Sequence, residues 1–212
     1  MDAKFIALEG IDGTGTTTQL SLLRDALVAR GEPCIATFEP TRGPIGSLIR
    51  LALAGRITLS PPESGRRREE FTYGLLFAAD RMDHLLNEIE PALASGSHAV
   101  TDRYYLSSLA YQHLECDIAW LRQLNSHCRR PDVTFLLDAD PEVCMDRISR
   151  GRHHRDRYEQ IGKLATIRTN YLKIAELLRA DGEEIVVINA EQSVQSVHND
   201  IMRSLETWLG KQ

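Results

Sequence analysis

Glu9-Gly10-Ile11-Asp12-Gly13-Thr14-Gly15-Thr16-Thr17-Thr18-Gln19 follows the apolar run Lys4–Leu8 and leads into a helical pattern with Leu20, Leu23 and Leu27 on one face. The spacing is that of GxxxxGK[ST], and the strand–loop–helix context is the one that motif requires. Three glycines let the backbone wrap closely around a phosphate, with amide hydrogens pointing inward and the helix N-terminus adding positive potential. Thr17 falls where the motif's hydroxyl meets Mg²⁺. Thr16 stands where the motif has lysine. Taken alone, the stretch also fits a glycine-rich turn with no ligand.

Outward from this loop, short apolar runs alternate with helical periodicity, which predicts an α/β fold. Strands are expected at Lys4–Leu8, Cys34–Phe38, His98–Thr101, Val133–Leu137 and Ile185–Ile188. They would form a doubly wound, five-stranded parallel sheet with helices on both faces. The first helix should stop at Gly31, a left-handed cap. A second amphipathic stretch carries Phe71, Leu75, Ala78, Met82, Leu85 and Ile89, and a third carries Ile161, Leu164, Ile167, Tyr171, Ile174 and Leu178. Ser60–Arg68 reads as an exposed loop. No linker or repeat divides residues 1–212, so one domain is expected.

Bulk properties narrow the function. Apolar residues make up 42% and charged residues 26% of 212, an ordinary globular balance. With 25 basic and 30 acidic side chains the net charge is −5, which argues against nucleic acid as a partner and requires any anion site to be a local basic cluster. Cys34, Cys116, Cys128 and Cys144 form no metal or CxxC spacing and read as reduced thiols. Met1-Asp2-Ala3-Lys4 carries no signal pattern and no apolar run approaches a membrane span, so a cytoplasmic chain without a membrane partner is expected.

Chemistry-bearing residues gather where the strands should end, which is where doubly wound sheets bind ligands. After the second strand comes Glu39-Pro40-Thr41-Arg42-Gly43-Pro44-Ile45-Gly46. After the third come Asp102-Arg103-Tyr104-Tyr105 and Leu106-Ser107-Ser108-Leu109-Ala110-Tyr111-Gln112. An acid there can hold Mg²⁺ or its water, and the arginine can fork onto phosphate. A surface ion pair is the plainer alternative. Phe77 and Arg81 share a helical face, suiting a nucleobase by stacking and hydrogen bonding, or else forming a core ring beside a solvated arginine. Beyond helix Pro141–Arg150, the arginines 150, 152, 155 and 157 read either as a mobile lid over about 150–158 or as a solvated connector. His153 and His154 lack partner ligands and read as solvated.

With these residues assembled, the chain resembles the thymidylate kinase family of phosphate-loop nucleoside-monophosphate kinases. The resemblance runs through Glu9–Gln19, Glu39–Gly46, Phe77–Arg81, Asp102–Gln112, Pro131–Pro141, Arg150–Glu159 and Asn189–Val197, in order. It implies ATP as co-substrate, Mg²⁺, dTMP as acceptor, a homodimer, and a short arginine-rich lid that supplies catalytic arginines, here Arg152 and Arg155. It further implies that Gly10, Asp12, Gly13, Thr14, Gly15, Thr16, Thr17 and Thr18 hold the phosphates, and that Thr17 and Asp102 hold the metal. Asp12 would also contact the sugar 3′-hydroxyl, while Arg42 and Arg103 would grip the acceptor phosphate. Phe77 would stack on thymine, Arg81 would bond its carbonyl, and Ser108 and Gln112 would line the base pocket. Tyr111 would crowd the 2′ position. The loop containing Glu191 would cradle adenine. The departure is Thr16, because the family loop reads Gly-Lys-Thr-Thr-Gln. A cation of this kind is worth about 10³–10⁵ in turnover in related chemistry. Lid arginines replacing that charge are one expectation. A kinase for another monophosphate or a deoxynucleoside, and a catalytically impaired nucleotide-binding protein, are the alternatives.

Overall fold

The computed structural model describes residues 2–59, 66–148 and 154–210, and for 66–68 and 154–159 the description covers the backbone alone. Five strands, β1 (Phe5–Gly10), β2 (Cys34–Phe38), β3 (His98–Asp102), β4 (Val133–Asp138) and β5 (Ile185–Asn189), form one parallel sheet in the order β2-β3-β1-β4-β5. Every residue of β1 and β3 is buried, as the two-sided cover of a parallel sheet demands. Each expected strand is present, with β1, β3, β4 and β5 running one or two residues further toward the site than the apolar runs suggest.

Helices cover both faces. α1 (Thr16–Ala29) and α9 (Val194–Leu209) pack together on one face. α5 (Tyr105–Gln112) and α8 (His154–Ala180) pack together on the other, flanked by α3 (Arg66–His84), α6 (Ile118–Leu124) and α7 (Pro141–Ile148). α2 (Pro44–Leu53) lies against α3, and a π-helical turn, Leu85–Ile89, links α3 to α4 (Glu90–Ala94). α1 ends as its sequence requires. Gly31 adopts φ 79°, and the Glu32 and Gly31 amides donate to the Leu27 and Val28 carbonyls.

The chain leaves β1 toward the α1 face and leaves β3 toward the α5 face, although β1 and β3 are neighbours. Their carboxyl ends therefore flank a crevice, the switch point of a doubly wound sheet. All five strands are parallel, so Gly10, Phe38, Asp102, Asp138 and Asn189 end on this same edge.

Expectations of local structure need correction. Arg66–Arg68, read as part of an exposed loop, belong to the backbone of α3, and 154–158, read as part of a link between two helices, are helical and open α8. Residues 60–65 and 149–153 lie outside the described residues. The buried face of α3 also differs from its apolar pattern. Leu75 is 54% and Met82 38% exposed, whereas Tyr73, Asp80, Arg81 and His84 are buried. Polar side chains can occupy a core face when each finds a partner across the chain, and apolar periodicity cannot register that.

Candidate active site

Backbone geometry shapes the loop after β1. Gly13 has φ 91°, and a Cβ placed there would stand 2.6 Å from the Cys144 carbonyl of α7. Only glycine permits that approach without strain. Gly15, at φ 97°, is the N-cap of α1, and the Thr14 hydroxyl ties the loop to the Ile11 carbonyl at 2.8 Å. A cavity of about 450 Å³ opens in front of the loop, lined by Asp12 through Gln19, by Asp102 and Arg103, by Arg147, and by Ala190, Gln192, Val194 and Val197. Unpaired amides at the start of α1 and the positive end of its dipole make this a place for anions. The Thr17 hydroxyl donates to Asp102 Oδ2 at 2.5 Å, and the other carboxylate oxygen, Oδ1, is buried without a hydrogen-bond partner among the described residues. Thr16 is buried and neutral.

A second cavity of about 270 Å³ adjoins the first and shares Asp12 and Arg103 with it. Phe77, Arg81, Tyr104, Ser108, Tyr111 and Gln112 line its interior. Arg81 is 1% exposed, which removes the solvated-arginine alternative. It donates to Glu39 Oε2 at 2.6 Å, to the Ser108 hydroxyl at 3.1 Å and to Asn125, with its guanidinium over the Tyr104 ring. Its neighbour Asp80 accepts from the amide and hydroxyl of Thr41, at 2.8 and 2.6 Å, and so fixes the loop after β2. Among the described residues Gln112 Oε1 has no hydrogen-bond partner, and Gln112 lines the cavity wall.

Arg103 stands on the shared wall. Its φ of 70° is a conformation that side-chain-bearing residues rarely take. It donates to Asp12 Oδ1 at 2.7 Å, to the Ser107 hydroxyl at 3.1 Å, and to the Tyr171 and Tyr111 hydroxyls at 3.2 and 3.4 Å. Beneath it lies Glu9, fully buried in β1. The Glu9 carboxylate accepts from the Tyr104 and Ser107 amides at 2.8 and 3.1 Å, the Ser107 hydroxyl at 2.5 Å and the Tyr171 hydroxyl at 3.1 Å. Burial pushes its pKa up to about 7, against the lowering effect of the Ser107 bonds and the Arg103 charge.

The remaining expected residues are more scattered. Arg42 is exposed, with its guanidinium 5.3 Å from the centre of the Phe38 ring, and lines neither cavity. Thr18 lines the first cavity. Glu191 is exposed and accepts from the Asp140 amide at 2.9 Å, joining the loops after β4 and β5, while Ala190 and Gln192 face the cavity. Arg152 and the Arg155 side chain lie outside the described residues. The sequence reading did not single out Glu9, Glu39, Asn125, Arg147 or Tyr171. The carboxylate of Glu9, directly after the apolar run of β1, was the one available signal.

Fold and site together define a phosphate-loop α/β protein of the nucleoside-monophosphate kinase type. The family model described as thymidylate kinase matches residues 8–201. The chain is 40% identical to the probable thymidylate kinase of Thermococcus kodakarensis, over 98% of this chain and 100% of that one. It is 38% identical to the probable thymidylate kinase of Pyrococcus horikoshii, over 95% of each chain. It is 36% identical to the thymidylate kinase of Bifidobacterium longum subsp. infantis, over 99% of this chain and 88% of that one. This chain belongs to the thymidylate kinase family.

Proposed function

We propose that this protein, acting as one kinase domain, transfers the γ-phosphoryl group of ATP to dTMP, giving dTDP and ADP. The observation that carries the reading is the meeting of two cavities at Asp12 and Arg103: a phosphate loop on one side, and an aromatic and arginine-lined pocket on the other. An acceptor phosphate on the shared wall would face the γ-phosphate in line. One of its oxygens, already anionic near neutral pH, bonds to Pγ. The Pγ–O bond to the β-phosphate breaks, and the electron pair leaves with ADP. No strong base is needed, so catalysis reduces to alignment and charge neutralisation.

Arg103 grips the acceptor phosphate, joined by Arg42 once that side chain leaves Phe38. Asp12 contacts the 3′-hydroxyl, Phe77 stacks on thymine, Arg81 bonds its carbonyl, and Ser108 and Gln112 complete the base pocket. Tyr111 excludes a 2′-hydroxyl. On the donor side the amides from Gly10 to Thr18 cradle the phosphates, and the loop containing Glu191 borders adenine. Asp102 Oδ1, which has no partner among the described residues, lies on the carboxylate that meets the Thr17 hydroxyl and fits a hard cation. Thr17 and Asp102 would hold Mg²⁺, which neutralises phosphate charge when bound. Arg152 and Arg155 of the lid add charge on closure.

Four free cysteines suit the reducing cytoplasm. Among the described residues, no helix is long and apolar enough to cross a membrane. A homodimer is supported by the exposed apolar stripe Leu75, Met82 and Leu86 along α3 and the π-helical turn. An ADP-release assay with ATP, Mg²⁺ and, in turn, dTMP, dUMP, dCMP and thymidine tests the activity. Preference for dTMP is expected, and inertness toward dTMP at saturating nucleotide would overturn the reading.

A further inference from the structure

The loop has lost its lysine, and the position that should carry it, Thr16, is buried and neutral. The same loop shows where a replacement charge comes from. Gly13 lies so close to α7 that a Cβ would collide with the Cys144 carbonyl. That contact lays α7 directly along the loop. Arg147, three residues after Cys144, therefore projects from the same helical face toward the phosphate cavity. It lines that cavity, and its Nη1 lies 3.4 Å from the Gly13 carbonyl oxygen.

The described residues that line the cavity include two cations, Arg103 and Arg147. Arg103 is held at the shared wall by Asp12, Ser107 and Tyr171. Arg147 is exposed, lines the cavity and reaches the Gly13 carbonyl in the loop whose amides would hold the triphosphate.

We infer that Arg147, a cation from α7 outside the loop, stands in for the missing loop lysine by neutralising the β- and γ-phosphates of the donor. The inference rests on the reading of this cavity as the ATP site. It goes beyond the lid arginines, because Arg147 sits on a helix packed against the loop and is in place before any lid closes. During transfer the guanidinium stays protonated. It bonds phosphate oxygens as Pγ moves to the acceptor and the β-phosphate takes up the electron pair of the broken bond.

The test compares the parent with Arg147→Ala and with the double variant Arg147→Ala/Thr16→Lys. Affinities for ATP and AMP are measured by calorimetry, turnover with dTMP by ADP release, and folding by circular dichroism. Arg147→Ala should weaken ATP binding about tenfold or more and lower turnover about 10²-fold, with AMP affinity within about twofold of the parent. Thr16→Lys should return at least about tenfold of the lost turnover. Unchanged ATP affinity and turnover in Arg147→Ala would overturn the inference. So would an equal loss of ATP and AMP binding, which places the arginine at the base rather than the phosphates, or a failure of the new lysine to rescue. Binding is read without the acceptor, so a parent that binds ATP yet ignores dTMP defeats the proposed function while leaving this inference to its own measurements.

Discussion

Thr17 and Asp102, 85 residues apart in sequence, are joined by a 2.5 Å hydrogen bond from the threonine hydroxyl to the carboxylate across the crevice between β1 and β3. The bond sets two side-chain oxygens side by side at the start of α1 and, among the described residues, leaves the second carboxylate oxygen without a hydrogen-bond partner. Thr17→Ala and Asp102→Asn should each lower turnover about 10²-fold and raise the Mg²⁺ concentration needed for half-maximal rate. Affinity for dTMP, measured without ATP, should stay within about threefold of the parent.

Glu39 and Arg81 form a buried pair at 2.6 Å, whereas Arg24 and Asp25 meet at the same distance in water. Removing one partner of the buried pair strands a charge that no water can reach. Glu39→Ala should therefore cost about 3–5 kcal/mol in urea unfolding, and Asp25→Ala less than about 1 kcal/mol.

Tyr111 lies under Arg103, its ring 5.2 Å from the guanidinium carbon and its hydroxyl 3.4 Å from Nη2. Tyr111→Ala opens space in the second cavity, which Tyr111 lines. The preference for dTMP over its ribonucleotide counterpart, taken as a ratio of kcat/KM values, should fall about tenfold or more. Tyr111→Phe retains the ring and should change that ratio by less than about threefold.

Glu9 gives stability a defined pH dependence. Its pKa rises from an ordinary carboxylate value near 4.5 to about 7 on folding. The folded state thus binds a proton more tightly than the unfolded chain does. The stabilisation linked to Glu9 is complete below about pH 4.5 and is lost as pH rises through 7. Relative to Glu9→Gln, the parent should lose up to about 3 kcal/mol between pH 4.5 and 7.5, read from paired thermal or urea unfolding curves. A difference that does not change with pH would refute this assignment.

Local physics made the scaffold legible. Each strand is a short apolar run bounded by turn chemistry, and α1 ends at a glycine free to take φ 79°. The loop after β1 was readable because its glycine spacing signals the positive-φ backbone that Gly13 and Gly15 adopt. Phe77 and Arg81 could be paired from their shared helical face, Ser108, Tyr111 and Gln112 joined them only through the family resemblance, and the fold does bring all five to one cavity.

What sequence alone determined, then, is the order of elements and the edge of the sheet where chemistry gathers, since both follow from interactions between near neighbours in the chain. Tertiary structure alone decided which polar groups are buried and which cation reaches the loop. Asp80 and Arg81 turn inward because Thr41 and Glu39 meet them, 39 and 42 residues away. Arg147 arrives at Gly13 from 134 residues further on. Burying a charge costs free energy that only such distant partners can offset, and periodicity along a single helix carries no record of them.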